Sequence, residues 1–244
     1  MGFPESSPWL LVTDVDDTLA GDPASLLDFA RASGPVRVVL NSSRPRGSVA
    51  RTMEEFPGEL AIAGVVTALG TEIEFEGVPC REWTDRFRGW ERSPVDAILR
   101  AGGFVPHPDE MQTPFKASYA VPGDRWEEVT ERILEAAPGT RVIASGASDF
   151  DVIPAEAGKG AATLFVAGAL GIHPDRLIVA GDSGNDLSMF AVAGRAIAVG
   201  NARRELIEAA DPGRTFFARA PRAAGILEGL RHWGALPATT TTYG

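Results

Sequence analysis

Three aspartates stand together where the first apolar run of the chain ends. Asp14, Asp16 and Asp17 follow the run WLLV within the stretch LLVTDVDDTLAGD. Like charges at this spacing repel one another, and each carboxylate that leaves water needs a cation to compensate it. An ionised aspartate is a competent nucleophile on phosphorus, and a second one two residues later could protonate a leaving oxygen and then activate water. The D-x-D pattern alone is a weak signal, because glycosyltransferases and incidental loops also contain it, and it indicates phosphoryl-transfer chemistry only together with further polar residues.

Three further polar residues stand at the ends of other apolar runs. Ser42 follows VRVVLN, Asp182 follows LIVAG, and Lys159 opens a segment with helical spacing. Ligands of open parallel sheets bind beyond the carboxyl ends of the strands, so we expect these side chains to meet Asp14 there. A divalent cation and Lys159 would offset the carboxylates. Oxygen ligands without Cys or His suit a hard ion such as Mg²⁺.

Short β-rich runs alternate with helical patterns along much of the chain, which predicts a doubly wound, mostly parallel α/β sheet. The predicted strands are WLLVTD (9–14), VRVVLNS, AIAGVVTALG, RLIVAGD, AIAVG and TFFA. The predicted helices are SLLDFARAS, RGSVARTMEEF, KGAATLFVAGALG, NDLSMFAVAG, ARRELIEAA and AAGILEGLRHW.

The pattern changes in the middle of the chain, from about Thr71 to Ala155. TEIEFEG, FKASYAV and DFDVIP alternate like antiparallel strands, and SPVDAILRAG and RWEEVTERILEAA look helical. Strand alternation places Lys116 and Ser118 on one face and Ala117 and Tyr119 on the other. We therefore divide the chain into core residues 1–75, an inserted α+β domain at 76–155, core residues 156–236 and a low-complexity tail at 237–244.

Composition narrows the classes of protein. The 244 residues are 44% hydrophobic and carry a formal charge of −10, which argues against a nucleic-acid or anionic-membrane partner. A single cysteine, Cys80, excludes an intrachain disulfide and a thiolate metal cluster. No apolar run approaches the roughly 20 residues of a membrane span, and the N-terminal residues make a poor signal peptide. We expect a soluble cytoplasmic protein; the oligomeric state stays open.

Four motifs carry a family resemblance. DVDDTL, NSSR, GKG and GDSGND occur in the order and spacing of the haloacid dehalogenase (HAD) superfamily of phosphatases. The long stretch between Ser42 and Lys159 resembles the larger, type-two cap of that superfamily. Further segments resemble its sucrose-phosphate phosphatase branch: GTEIEF, FKASYAV, DFDVIP, GKGAATLFVAGALGI, GDSGNDLSMF and ILEGLRHWG. The resemblance implies a Rossmann-like core with an inserted cap.

The same resemblance implies roles for individual residues. Asp14 would be the nucleophile and Asp16 the general acid and base. Mg²⁺ would be bound by Asp14, the Asp16 carbonyl and Asp182, with Asp186 in support. The phosphate would be held by Ser42, Ser43, Lys159 and Asn185. In the cap, sugar contacts would come from Lys116, Ser118, Ser145, Asp149 and Asp151.

Two positions depart from the family pattern. Ser42 and Ser43 stand where relatives usually carry threonine and then glycine, so the hydroxyl remains but a side chain is added beside the phosphate. Asp17 stands where relatives often have asparagine or glycine, which adds a negative charge.

The implied activity is Mg²⁺-dependent hydrolysis of a small sugar phosphate, such as the disaccharide phosphate sucrose 6-phosphate. The core motifs do not separate this substrate from mannosylfructose-phosphate, glucosylglycerol-phosphate, mannosyl-3-phosphoglycerate, trehalose-phosphate or a secondary-metabolite sugar phosphate. A hexose phosphomutase would use a related core, and a catalytically silent module could bind a sugar phosphate without turning it over. A glycosyltransferase would need a nucleotide fingerprint, which the sequence lacks.

Several of these residues could instead have a purely structural role. Asp14 and Asp16 could cap a helix and a turn, and Asn185 and Asp186 could cap a helix while also serving the site. Taken alone, Lys159 could be a solvated lysine of a first helical turn. Any cap residue could be a solvated surface residue. Packing is favoured over sugar stacking for Trp83, Trp90 and Trp126, and no role is assigned to His107, His173 and His232.

Overall fold

The computed structural model describes residues 8–238 of the chain. Its strands are β1 (Trp9–Thr13), β2 (Val36–Asn41), β3 (Ile62–Thr67), β4 (Glu72–Phe75), β5 (Val78–Pro79), β6 (Val105–Pro106), β7 (Ala117–Ala120), β8 (Thr140–Ser145), β9 (Asp149–Pro154), β10 (Leu177–Gly181), β11 (Arg195–Ala198) and β12 (Thr215–Phe217). Its α-helices are α1 (Pro23–Ala32), α2 (Arg46–Met53), α3 (Arg81–Thr84), α4 (Ser93–Ala101), α5 (Trp126–Ala136), α6 (Lys159–Ala169), α7 (Leu187–Val192), α8 (Arg204–Ala209) and α9 (Arg222–His232).

The larger of two sheets has eight strands in the order β12-β11-β10-β1-β2-β3-β4-β5. The six strands from β12 to β3 are parallel, and β4 and β5 extend the sheet antiparallel at one edge. This is the doubly wound α/β core that the alternating pattern predicts. The first strand lies in the middle of the parallel part, between β10 and β2, so its carboxyl end has a neighbouring loop on each side.

Both faces of this sheet are buried, as the unbroken apolar character of β1 requires. Leu10 and Val12 point to one face, where they join a hydrophobic cluster with α6 and α7. Leu11 points to the other face, where it packs in a cluster with α1 and α9. The site-bearing loops thus extend from a strand that is fixed by packing on both sides.

The second sheet is antiparallel, with strand order β6-β7-β9-β8, and belongs to the predicted insertion. One face packs on α4 and α5 through Ala117, Tyr119 and Phe150, all fully buried. Residues of opposite parity, including Lys116 and Ser118, line a cleft on the other face. The predicted division of β7 into an apolar and a polar face is confirmed. We refer to this sheet and its two helices as the cap.

The structure contains elements that the sequence pattern does not predict, namely β5, β6, β8 and α3, and it places one predicted strand in the other sheet. The TEIEFEG segment, grouped above with the antiparallel strands of the insertion, forms β4, which is antiparallel but pairs with β3 of the large sheet. The strand β8 was not predicted, because TRVIAS lacks regular alternation. The insertion bounds 76–155 stay a prediction, and most of the tail 237–244 lies outside the described residues. Within 8–238, every helix is too short or too polar to cross a membrane.

Candidate active site

The predicted core residues meet at the carboxyl edge of the large sheet. Asp14 directly follows β1, and its amide donates to the Ala180 carbonyl of β10 at 2.9 Å. Ser42 directly follows β2, and its amide donates to the Val66 carbonyl of β3 at 2.9 Å. Asp182 directly follows β10. Ladder hydrogen bonds therefore continue into the loops of Asp14 and Ser42 and fix their backbones, whereas the Asp182 amide donates to Asp186 Oδ2 at 3.0 Å.

Lys159 lies at the centre of the site and is fully buried. Its Nζ donates to Asp14 Oδ1 at 2.6 Å, to Asp186 Oδ1 at 2.7 Å and to Asn185 Oδ1 at 3.0 Å. An ammonium group has three donors, so this geometry satisfies it completely. Burial opposes its charge, but the two carboxylates outweigh burial and raise the pKa of Lys159 above its ordinary value. Lys159 is a fixed positive charge beside Asp14.

Three buried carboxylates form a group that can hold a metal ion. One oxygen from each of Asp14, Asp182 and Asp186 lies within 4.8 Å of the others. Lys159 supplies one positive charge against these three, so two negative charges remain for a dication to compensate. The donors are all oxygens, which fits the preference of Mg²⁺ for carboxylates and water. The residues present therefore fit the expected cofactor.

Burial makes the uncompensated charge costly. It raises the pKa of Asp14 to about 6, and the nearby Lys159 only partly opposes the rise. It raises the pKa of Asp182 to about 7, with the negative charge of Asp186 adding to the effect. The pKa values of both carboxyl groups are thus close to neutral pH. A cation bound beside them would lower these pKa values and favour the ionised form.

Asp186 is more deeply engaged than the other two carboxylates. Its Oδ2 accepts from the backbone amides of Asp182 at 3.0 Å and Ser183 at 3.2 Å, while Oδ1 accepts from Lys159. It also forms a reciprocal capping box with Ser183 before α7. Gly181 permits this close approach, because a Cβ there would lie 2.6 Å from the Asp186 side chain. Asp186 therefore fits the supporting role and caps a helical turn at the same time.

Asp16 and Asp17 follow Asp14 and point to different partners. Asp16 Oδ2 lies 2.7 Å from Arg44 Nε, and its side chain is about half exposed. Burial nevertheless raises the pKa of Asp16 above its ordinary value, with Arg44 opposing the rise. Asp17 Oδ1 accepts from Arg222 at 2.8 Å. The extra negative charge at position 17 is therefore balanced by an arginine at the start of α9.

The two predicted serines differ in exposure. Ser42 is fully buried, and its Oγ accepts from the Arg44 amide at 3.1 Å. Ser43 lines the cleft together with Asn185. The side chain that replaces the usual glycine thus faces the space where a phosphate would bind, whereas the Ser42 hydroxyl is used within its own loop.

A cleft of about 250 Å³ separates the core residues from the cap. All five predicted cap residues line it: Lys116, Ser118, Ser145, Asp149 and Asp151. Lys116 is 1% exposed and contacts both sides, because its Nζ lies 3.2 Å from Asp151 Oδ1 and donates to the Ser43 carbonyl at 3.0 Å. A larger groove of about 550 Å³ is bounded by α2, β3 and β4, and none of the predicted site residues lines it.

Five residues that line the cleft are not among the predicted site residues: Asp17, His107, Met111, Ser183 and Arg203. His107 lies 3.4 Å from Asp149 Oδ1 through Nε2, and Arg203 reaches the cleft from the loop before α8. His107 and Arg203 stand in no motif, and His107 reaches Asp149 because β6 and β9 both pair with β7. Trp83, Trp90 and Trp126 have a structural role, as the sequence favours. The indole N–H of each donates a hydrogen bond within the protein at 2.8–2.9 Å.

Comparisons with known proteins agree with this geometry. The family model for sucrose-6F-phosphate phosphohydrolase matches residues 7–234. Mannosylfructose-phosphate phosphatase of Agrobacterium fabrum is 33% identical over 245 residues, covering 93% of this chain and 98% of the relative. Sucrose-phosphatase 1 of Nicotiana tabacum is 32% identical over 142 residues, which are 53% of this chain and 33% of the tobacco protein.

Solved structures show the same fold. The sucrose-phosphatase of Synechocystis sp. PCC6803, in complex with sucrose and phosphate, superposes with a TM-score of 0.87 at 27% identity, over 95% of this chain and 100% of the other. The HAD subclass IIB sugar phosphatase BT4131 superposes with a TM-score of 0.70 over 93% of this chain and 100% of the other, at 16% identity, which shows the fold alone.

The protein has a doubly wound core, with aspartates and a buried lysine at the strand ends and an inserted antiparallel cap above them. These features define its class as a HAD-superfamily phosphatase. The chain belongs to the sucrose-6F-phosphate phosphohydrolase family, because the family model covers nearly all of it. It is therefore a phosphoric monoester hydrolase.

Proposed function

We propose that this enzyme hydrolyses a disaccharide phosphate, with sucrose 6-phosphate as the first candidate, through an aspartyl-phosphate on Asp14 and with Mg²⁺ as cofactor. The observation that carries the proposal is the buried contact between Lys159 Nζ and Asp14 Oδ1 at 2.6 Å, at the floor of a cleft whose opposite wall is polar. The lysine fixes the carboxylate and supplies positive charge where phosphoryl oxygens would gather.

The first half-reaction uses two aspartates. A carboxylate oxygen of Asp14 attacks phosphorus, the bond between phosphorus and the sugar oxygen breaks, and that oxygen takes a proton from Asp16. Burial raises the pKa of Asp16, with Arg44 opposing the rise, which makes the carboxyl group easier to protonate for this step. Ser43 and Asn185 line the cleft near Lys159 and would hold the phosphoryl oxygens, and the Ser42 loop would support them.

The second half-reaction restores the enzyme. Asp16, now ionised, takes a proton from water, and the water oxygen attacks the phosphorus of the aspartyl-phosphate. The bond between phosphorus and Asp14 breaks, which regenerates the carboxylate and releases inorganic phosphate. Asp14, the Asp16 carbonyl and Asp182 would hold Mg²⁺, which neutralises negative charge on the phosphoryl group when bound.

The polarity of the cap supports a sugar as the leaving group. Lys116, Ser118 and Asp151 are nearly buried side chains with hydrogen-bonding atoms along the cleft. Hydroxyl groups both donate and accept, so a wall that alternates cations, hydroxyls and carboxylates can satisfy several of them. The family match and the sucrose-bound neighbour further support a sugar phosphate. A cytoplasmic location stays a prediction.

Mannosylfructose-phosphate is a second candidate substrate. It is favoured by the 33% identity with the Agrobacterium fabrum phosphatase, which extends over nearly the full length of both chains. Both candidates are phosphorylated disaccharides that contain fructose, and they differ in the other sugar. The choice between them depends on cap contacts with that second unit.

A phosphate-release assay across a panel of phosphorylated mono- and disaccharides tests the proposal. We expect sucrose 6-phosphate or mannosylfructose-phosphate to give the highest kcat/KM, with loss of turnover when EDTA removes Mg²⁺. Phosphate must be released without a bisphosphate activator. This result would exclude a phosphomutase, because that enzyme returns the phosphate to the sugar. Turnover of an aryl phosphate but of no sugar phosphate would contradict the substrate class, and no turnover of any ester would favour a silent binding module.

A further inference from the structure

Arg203 occupies the junction between core and cap at the edge of the cleft. Its backbone amide donates to the Asp182 carbonyl at 2.6 Å, and its carbonyl accepts from Leu206 and Ile207 in the first turn of α8. The backbone is therefore fixed to the loop that carries a candidate metal ligand. The side chain lines the cleft and is about half exposed.

The guanidinium group of Arg203 has no close partner of its own. Within residues 8–238 its one ion pair is the contact of Nε with Asp182 Oδ2 at 3.9 Å, which exceeds hydrogen-bond distance. Lys116, the other lysine or arginine that lines the cleft in the described chain, is already engaged by Asp151 and the Ser43 carbonyl. Arg203 thus keeps hydrogen-bond donors available to a ligand.

Arg203 and Asp149 approach the same glycine in the turn between β8 and β9. A Cβ on Gly146 would lie 3.3 Å from Asp149 Oδ2 and 3.7 Å from Arg203 Nη1. His107 lies against the other oxygen of Asp149 at 3.4 Å. A donor group from the core and an acceptor group from the cap therefore both lie near this turn, at the edge of the cleft.

We propose that Arg203 is a specificity-determining residue whose guanidinium donates hydrogen bonds to hydroxyl groups of the released sugar, while Asp149 accepts from the same sugar. The proposal rests on the proposed function and deepens it. Neighbouring hydroxyls suit this donor–acceptor pair, because each can donate and accept.

The test compares Arg203→Gln with Arg204→Gln. Arg204 is the matched control, because its side chain is 87% exposed and pairs with Glu208 at 2.6 Å along α8. Steady-state kinetics would be measured with the best sugar phosphate of the panel and with 4-nitrophenyl phosphate, whose leaving group carries no such hydroxyls. For Arg203→Gln we expect KM for the sugar phosphate to rise about 10- to 100-fold, the effect of losing a charge-assisted hydrogen bond, with kcat nearly unchanged.

Turnover of 4-nitrophenyl phosphate by Arg203→Gln should stay within about twofold of wild type, as should the Mg²⁺ concentration for half-maximal activity. Inhibition by the free disaccharide should weaken in Arg203→Gln and not in Arg204→Gln. Equal losses on both substrates, or a changed Mg²⁺ requirement, would show that Arg203 acts on the phosphate or on Asp182 and would overturn the inference. So would unchanged sugar kinetics. A failure of the proposed function is distinct, since wild type would then turn over no sugar phosphate.

Discussion

At the scale of single residues, the chemistry of the site depends on how one buried lysine divides its hydrogen bonds. Lys159 binds Asp14, Asp186 and Asn185, residues that come from loops after β1 and β10. Because all three donors are used, the ammonium cannot rotate away from Asp14 without leaving a buried acceptor unpaired, which is costly. The Asp14 carboxylate is thereby kept in one orientation, as the proposed role of nucleophile requires.

Asp14→Asn tests the nucleophile. We expect kcat to fall roughly a thousandfold or more, because an amide cannot form the aspartyl-phosphate. The fold should persist, since the Asn oxygen can still accept from Lys159 and one buried negative charge is removed. Phosphate release measures the activity, and circular dichroism with thermal melting provides the structural control. Activity above about one per cent of wild type would contradict the assignment.

At this scale the sequence predicts the core of the site and misses part of its rim. Asp14, Ser42 and Asp182 are predictable because each directly follows a buried strand, and parallel strands bring their carboxyl ends to one edge. His107 and Arg203 are not, because His107 depends on strand pairing within the cap and Arg203 on how the cap sits on the core. The spacing of residues along the chain carries no information on that packing.

At the scale of elements, the helix that presents Lys159 is fixed by a close contact with its neighbour. Gly160, the second residue of α6, packs on α7: a Cβ there would lie 2.2 Å from the Ser188 carbonyl oxygen. Its amide also donates to Ser188 Oγ at 3.1 Å. The contact sets the height of the first turn of α6 and so the position of Lys159 beneath the cleft.

Gly160→Ala is therefore expected to destabilise the protein by about 1–3 kcal/mol, the usual effect of overpacking, and to reduce kcat by displacing Lys159. Gly168→Ala is the matched control in the same helix, because nothing lies within 4 Å of its Cβ position. There the substitution should stabilise by about 0.5–1 kcal/mol through backbone entropy. Chemical denaturation measures the free energy of unfolding of both variants. An equal change in this free energy for Gly160→Ala and Gly168→Ala would contradict the packing argument.

The sequence predicts the parallel strands of the core better than the strands outside them, and the reasons are physical. The parallel strands are short apolar runs between helices, and their order along the chain reveals them. The strand β8 has no alternating pattern, and it is specified by pairing with β9 from Thr140 to Ser145. The segment 72–75 has the right antiparallel character, but local pattern does not state which sheet it joins, and it pairs with β3.

At the scale of the whole molecule, the cap and the core are joined by polar contacts across the cleft. Lys116 of the cap donates to the Ser43 carbonyl of the core at 3.0 Å while it pairs with Asp151. Arg203 of the core approaches the Gly146 turn of the cap. Lys116 and Arg203 therefore connect cap and core across the cleft, and a substrate bound there would help to exclude water from Asp14.

The charge of the site links the stability of the whole molecule to pH and to metal. Asp14 and Asp182, ordinarily near pKa 3.8, are raised to about 6 and about 7 by burial. Between about pH 4 and 7 the folded state therefore binds more protons than the unfolded state. The contribution of these groups to the free energy of unfolding is largest at low pH and is lost as pH rises through 6 and 7.

If the three carboxylates hold Mg²⁺ as proposed, bound Mg²⁺ should reverse this loss, because it favours their ionised form. At pH 8 we expect saturating Mg²⁺ to raise Tm by roughly 5–10 °C, taking about 2.7 kcal/mol for binding at a hundredfold excess over Kd, and at pH 5 by much less.

Asp182→Asn should melt higher than wild type at pH 8 in EDTA, because a buried charge is removed, and should gain less from Mg²⁺. Asp28→Asn, an exposed change on α1, is the control and should follow wild type. An equal Mg²⁺ gain at both pH values, or an Asp182→Asn variant that melts below wild type in EDTA at pH 8, would mean that these carboxylates do not carry the uncompensated charge.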